Sequence, residues 1–351
     1  MRNRVLTVLT LASWAATAAP ATAQQPDERI RTVVRAIAAI PHVAMYQRGG
    51  EEQTDRQAKT FKIGAQGDID VYNIAGDITI SRGGSTEATI EIVKRARGRS
   101  VEDAREMLEL VQVDVTEHHG RVEVRTRYPQ SGEQRRAARR NVNVSVAYTI
   151  TAPAGTRVVA KSISGDLKAT GIKGDLTLET ISGSVTIADA GRIAGAKSLS
   201  GDVTISDTQV DGGVEASSVS GTVTLRAARA RRVDLGSISG NIVLQDVDCD
   251  TADLHSFSGD VVYGGALRKS GRYEMKSHSG DVRIAVSGTT GFEIEATTFS
   301  GSVRSDLQLQ LSGTGRGADR SRQRAIRGTY GDGSAIINVT TFSGSVVVSR
   351  R

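Results

Sequence analysis

Two aspartates and two histidines have the residue types and spacing that could do chemistry in this chain. Asp260 and Asp281 each follow a glycine in copies of one short motif, Ser-Phe-Ser-Gly-Asp-Val and Ser-His-Ser-Gly-Asp-Val, and His255 and His278 lie just ahead of those glycines. If the copies stack as neighbouring β-layers, the carboxylates come to lie ~5 Å apart, near the separation used by retaining glycosidases. A histidine nearby could move a proton. That quartet would suit a polysaccharide-active β-helix enzyme, a lyase or a hydrolase. The competing reading makes both aspartates turn residues, because the same position is Asp166, Ser184, Asp202, Thr222, Asn241, Ser302 and Ser345 in the other copies. Serine, threonine and asparagine bond turn backbone as well as aspartate does, but none of them is an acid or a base. The turn reading is preferred, with His278 expected inside as a hydrogen-bonded core histidine, so no catalytic, cofactor-binding or metal residue is assigned beyond that quartet.

The elements that would hold such residues are repeats. The motif Ser/Thr-x-Ser-Gly recurs with glycines at 165, 183, 201, 221, 240, 259, 280, 301 and 344, eight of them 18 to 21 residues apart. Two residues after each glycine the side chain is always aliphatic, from Leu167 through Val223 to Val346, and four after it is apolar except at Ser305. Seven and five residues before it the pattern repeats, as in Leu176 and Leu178 or Val233 and Leu235. A spacing of two puts each pair on one face of a strand. The residue two before the glycine is also apolar but out of phase, which predicts a corner at Ser-Gly with that residue inward. A unit with two short strands cannot bury its own apolar face, so the units must stack. The expected fold is mainly β: a β-solenoid, parallel β-helix-like, of about nine 18–21-residue repeats. A small mixed α/β N-terminal region is expected to precede it.

The domain organisation follows from the same reading. Arg2 and Arg4, an apolar run to Ala19 and Ala21-Thr22-Ala23 form a secretory leader over 1–23, cleaved before Gln24. Residues 24–60 carry a short amphipathic helix (Ile30, Val33, Val34, Ile37) and a linker. Residues 61–150 are strand-rich, with one helix opened by the Ser100-x-x-Asp103 signal and a hairpin turning at His119-Gly120. Residues 151–351 form the repeat domain, with a basic loop at about 312–333 holding Arg316, Arg320, Arg322, Arg324 and Arg327; a second basic loop holds Arg135, Arg136, Arg139 and Arg140.

Composition limits the function classes. The chain has 38 glycines, five prolines and 4% aromatics, which suits many short strands and argues against a sugar-stacking groove. The net charge of +6 falls to +4 without Arg2 and Arg4, too small an excess to suggest nucleic acid as partner. No P-loop, nucleophile elbow, zinc spacing, dinucleotide fingerprint or calcium repeat is present, and no cofactor is expected. Cys249 is the only cysteine, expected as a small buried hydrophobe. No stretch after the leader is apolar enough to span a bilayer.

The serial Ser/Thr-Φ-Ser-Gly-x-Φ units, the segment VNVSVAYTITAPAGTRV and the closing TYGDGSAIINVTTFSGSVVV resemble the bacterial putative-adhesin domain family, over about Phe61 to Arg351. The resemblance implies an exported, β-strand-repeat protein and brings no catalytic motif. The function expected is therefore an exported non-catalytic protein, located in the periplasm, at the cell surface or secreted. It would serve as adhesin, scaffold or envelope-stress component and bind envelope proteins or anionic surface glycans through its solenoid faces. A regulatory partner of an envelope sensor is a further alternative.

Overall fold

The computed structural model describes residues 51–84, 86–129, 143–311 and 324–351. The leader, the helix expected at 26–45, the arginines at 135–140 and those at 316–322 lie outside the described residues.

The repeats stack as parallel layers in register. Strands β8 (Arg157–Ser164), β10 (Asp175–Ser182), β12 (Arg192–Ser200) and β14 (Gly213–Ser218) form one wall, and β9 (Leu167–Thr170), β11 (Val185–Ala188) and β13 (Val203–Gln209) form the next. In β15 (Val223–Ser239), β16 (Ile242–Ser258) and β17 (Val261–Ser279) the strands of successive walls run together as one bent element. Side chains seven, five and three before the glycine and two and four after it point inward. The aliphatic ones, such as Leu176, Leu178, Val223, Leu225 and Leu254, are fully buried. Alternation along each strand thus becomes ladders along the rod, with layers ~4.8 Å apart. The outward Thr224 is itself only 9% exposed, because Thr204 and Val243 flank it in the adjacent layers.

The Ser/Thr-x-Ser-Gly motif is a stacking device. The hydroxyl three before the glycine donates to the glycine carbonyl of the layer below in eight layers, at 2.8 to 3.2 Å. Glycine is required because the layers touch there: a Cβ on Gly240 would lie 2.1 Å from the Gly221 carbonyl oxygen. Ser162 lacks this bond, because Asn73 Nδ2 already donates to the Gly76 carbonyl at 2.8 Å. Six residues after the glycine comes a second corner, at Asp189, Asp207, Ala227 and Asp246, with φ between 46° and 55°. Aspartate is among the residues that enter this left-handed region most readily.

The N-terminal region is continuous with the rod. Strands β2 (Asp68–Tyr72) and β3 (Ile78–Arg82) stack under β8 and β9, with Asn73-Ile74-Ala75-Gly76 as a tenth corner, so the boundary expected at 150 is absent and β7 (Val144–Ala152) runs across it. β7 lies parallel to β3 and antiparallel to β4 (Glu87–Gly98), and β6 (Arg121–Arg127) lies parallel to β2. β5 (Gln112–His118) pairs with β6 across the expected turn at His119-Gly120. Helix α1 (Val101–Leu110) starts at the Ser100 cap, whose hydroxyl accepts from Asp103 N, and buries Ala104 and Met107. The expected linker up to 60 is corrected in part: Glu51–Lys62 is strand β1, antiparallel to β4. It is a half-exposed polar edge strand, so its sequence shows no apolar alternation.

The other end departs from chain order. β18 (Val282–Ser287) continues β17, and β19 (Phe292–Ser300) with β20 (Val303–Ser305) forms the next repeat in sequence. The final repeat, β23 (Ala335–Ser343) and β24 (Val346–Arg350), nevertheless lies between them: β23 pairs with both β17 and β19, and β24 with both β18 and β20. Strand β22 (Ala325–Tyr330) then covers β19 antiparallel, followed by β21 (Gln310–Leu311). The loop expected at 312–333 is thus corrected over Ala325–Tyr330, where Ile326 packs into the core. Cys249 is buried as expected, and burial pushes its thiol up to about 12.

Candidate interaction surface

The structure brings Asp260 and Asp281 together but gives them structural work. Asp260 Oδ1 accepts from Asp281 N at 2.9 Å, and Asp281 Oδ1 accepts from Ser345 N at 2.8 Å. The same bond, from the residue after the glycine to the next layer's backbone, is made by Asp77, Asp166, Asp202 and Asn241. The backbone bond that the turn reading expects is thus made to the neighbouring layer and not within the residue's own turn. Arg283 spans the pair, donating to Asp260 Oδ2 at 2.8 Å and to Asp281 Oδ2 at 3.0 Å.

Neither histidine joins them. His255 Nε2 lies 2.5 Å from Asp253 Oδ1 on the outer wall. His278 is exposed, not inward, and its ring is stacked between Phe257 and Phe342. The sequence expectation for His278 fails because the inward residue is the Ser or Thr one place earlier, here Ser277, whose hydroxyl belongs to the inward series. Among the described residues no group of three or more His, Cys, Asp or Glu could hold a metal ion.

The same correction uncovers the surface feature of the rod. The residues two before each glycine point outward, and the layers align them as Ile74, Ile163, Ile181, Leu199, Val219, Ile238, Phe257, His278, Phe342 and Phe299. Phe257, Phe342 and Phe299 are 59%, 48% and 65% exposed, and Ile163 and Ile238 about half. The four rings at one end stack with centroids 4.7, 4.9 and 4.8 Å apart and planes within 11° of parallel. Ring-on-ring contact covers the faces and leaves the edges to water. Beside the stripe runs a row of exposed serines, among them Ser239, Ser258 and Ser279. This is a long, one-residue-wide apolar line with polar margins, the kind of surface that marks an interaction site. Its signal in the sequence was the apolar residue that broke phase with its strand.

Among solved structures, a putative adhesin from Parabacteroides merdae is similar over 86% of this chain and 97% of its own, at 11% identity and a TM-score of 0.40. A putative adhesin from Bacteroides fragilis is similar over 85% and 97%, at 14% identity and a TM-score of 0.38. No curated protein matches the chain. Residues 68–349 match the family model described as Toastrack DUF4097, a span that starts at β2, where the layered corners begin, and ends in the last strand, and the chain belongs to that family.

Proposed function

We propose that this protein is exported and works in the cell envelope as a non-catalytic scaffold, binding a protein partner through the outward apolar stripe. The observation that carries the reading is the stripe itself. Three phenylalanines about half or more exposed, stacked in one line with His278, expose apolar surface to water that a contact would bury. The leader at 1–23 supports export, and no described helix is long and apolar enough to cross a membrane. The carboxylate pair supports the non-catalytic side of the reading, because both oxygens of each group are bonded to backbone or to Arg283.

Photo-crosslinking in intact native cells tests it. A photoreactive residue replacing Ile238 should yield protein adducts, and one replacing Arg226, exposed on another wall, should not. The chain should begin at Gln24 and fractionate outside the cytoplasm. Uncleaved chain in the cytosol, or equal adducts from both positions, would overturn the proposal.

A further inference from the structure

We infer that the partner on the stripe is a second copy of this chain, its rod parallel to the first and related to it by a two-fold axis along the stripe. The inference rests on the stripe being a contact surface, as proposed above, and adds the occupant and its register. The argument is the charge pattern of the columns that flank the stripe. On one side lies the side chain four before the glycine, two residues from the stripe on the same wall. On the other, beyond the exposed serines and around the corner, lies the side chain after the glycine.

The two columns are matched layer by layer. Wherever the first is basic the second is aspartate: Lys161 with Asp166, Lys197 with Asp202, His255 with Asp260 and Lys276 with Asp281. The layer with an acid in the first column, Glu179, has Ser184 in the second, and the other four repeats are uncharged in both. Only the layer ahead of the repeats departs, with Tyr72 and Asp77. Within one molecule the corner separates the two columns, and the bases pair with other acids: Lys161 with Glu179 and Lys197 with Glu215, both at 2.8 Å.

A two-fold axis along the rod lays the first column of one copy against the second column of the other at the same height. Every base then meets an aspartate, and Glu179 meets a serine. The antiparallel alternative sets each column against itself reversed, which places Lys197 opposite His255 and Asp202 opposite Asp260 and leaves Glu179 with Lys276 as its one complementary pair. Two aspartates face each other there and one complementary pair forms against four in the parallel arrangement, which is therefore favoured. Arg283 already holds Asp260 and Asp281, so the pairs at Asp166 and Asp202 are the ones on which the register depends.

Size and period agree. Ten layers at ~4.8 Å give a strip about 45 Å long, and the flanking columns make it about 15 Å wide. That is roughly 700 Å² per copy, against the roughly 800 Å² per partner of a standard stable interface. A second stack of the same kind shares the ~4.8 Å repeat, so stripe meets stripe residue for residue along the whole length. A single extended peptide would cover the apolar line and leave the charged margins unmatched.

Sedimentation velocity on the full chain, expressed with its own leader and purified, tests this together with disulfide trapping. The wild type should be a dimer at micromolar concentration. Lys197→Glu, which sets an acid against Asp202 of the other copy, should raise the dissociation constant at least tenfold with an unchanged circular dichroism spectrum. Phe257→Ser with Phe342→Ser should give a folded monomer. Ile163→Cys and Phe342→Cys, near opposite ends of the stripe, should each link to their own copy on oxidation, because on the axis each residue meets itself. Cys249 is buried and stays silent. A wild-type monomer, or linking only when the two cysteine variants are mixed, overturns the inference. A monomer whose Ile238 photoadducts contain a different protein would overturn this dimer and leave the scaffold reading standing, whereas loss of stripe-dependent adducts would remove both.

Discussion

Gly240→Ala tests the corner ladder where the layers are tightest. A Cβ there would lie 2.1 Å from the Gly221 carbonyl oxygen and 2.6 Å from its carbon, both backbone atoms that cannot rotate aside. Carbon and oxygen sit comfortably at ~3.3 Å, so the two layers must part by about 1 Å at this corner. The hydroxyl bond that bridges this gap, Ser237 to Gly221 at 3.1 Å, would stretch or break. One such bond at ~1 kcal/mol, with ~1–3 kcal/mol for overpacking, gives about 2–4 kcal/mol. Gly236→Ala in the same repeat is the control, since its nearest neighbour would be Ser217 Cβ at 3.9 Å. That change should stay within ~0.5 kcal/mol. Because stacked layers need not unfold as one, urea midpoints of the far-ultraviolet signal are compared in place of extrapolated free energies. Equal midpoints for the two alanine variants would refute the claim that this glycine column exists for close approach.

The remaining predictions concern the carboxylates. Asp260→Asn with Asp281→Asn should keep the layer-to-layer bonds, as Asn241 does for Asp260 N at 2.9 Å, and lose only surface ion pairs with Arg283, changing stability by about 1 kcal/mol or less. Reducing-end or unsaturated-product release from a polysaccharide by the wild type, abolished in this variant, would sink the non-catalytic reading. For pH, the guanidinium bonded to Asp248 by Arg268 and that bonded to Asp175 by Arg192 hold these carboxyls below their ordinary values, as the Lys276 contact does for Glu274. A depressed folded value stabilises above the unfolded carboxyl range and is lost as pH falls through the folded value, so thermal stability should hold near neutrality and decline below about pH 4. Arg268→Ala should shrink that decline, and an unchanged acid limb in the variant would refute the assignment.

The stack was legible because its inward aliphatic columns recur at a fixed offset from a glycine, as Val185, Val203 and Val223 do. Two features were hidden for physical reasons. An inward Ser or Thr looks like a surface residue in sequence, and it is inward here only because its hydroxyl reaches the carbonyl of the layer below, as Ser198 reaches Gly183 at 2.8 Å. Once that hydroxyl is missed, the apolar neighbour is assigned to the core, and the whole outer stripe, His278 included, is placed on the wrong side. The second hidden feature is β1, whose polar residues carry no pattern because its order comes from backbone pairing with β4. Asp260 and Asp281 lie in adjacent layers as the repeat spacing predicts, but nothing in local sequence announces that Arg283 closes over them.

The order of the last layers follows from one residue that breaks the inward pattern. The repeats around Gly301 and Gly344 share the hexapeptide Thr-Phe-Ser-Gly-Ser-Val, so either could dock on β17 through its corner. They differ beyond it. The later repeat places Val346 and Val348 inward, both buried, whereas the earlier has Val303 followed by Ser305. An interior layer is covered above and below and would pay for a buried hydroxyl with no partner. At the end of the rod that cost lapses: β20 stops after three residues, and Ser305 Oγ turns to Leu307, donating to its carbonyl at 3.3 Å and accepting from its amide at 3.2 Å. The fully apolar repeat therefore takes the inner position although it comes last in the chain, and the imperfect one becomes the terminal layer. Stacked-repeat proteins need such atypical end units, because a perfect repeat at the end would leave an open apolar edge for another chain to extend. Strand β22 completes the protection on one wall by pairing antiparallel with β19, a direction in which the parallel stack cannot continue.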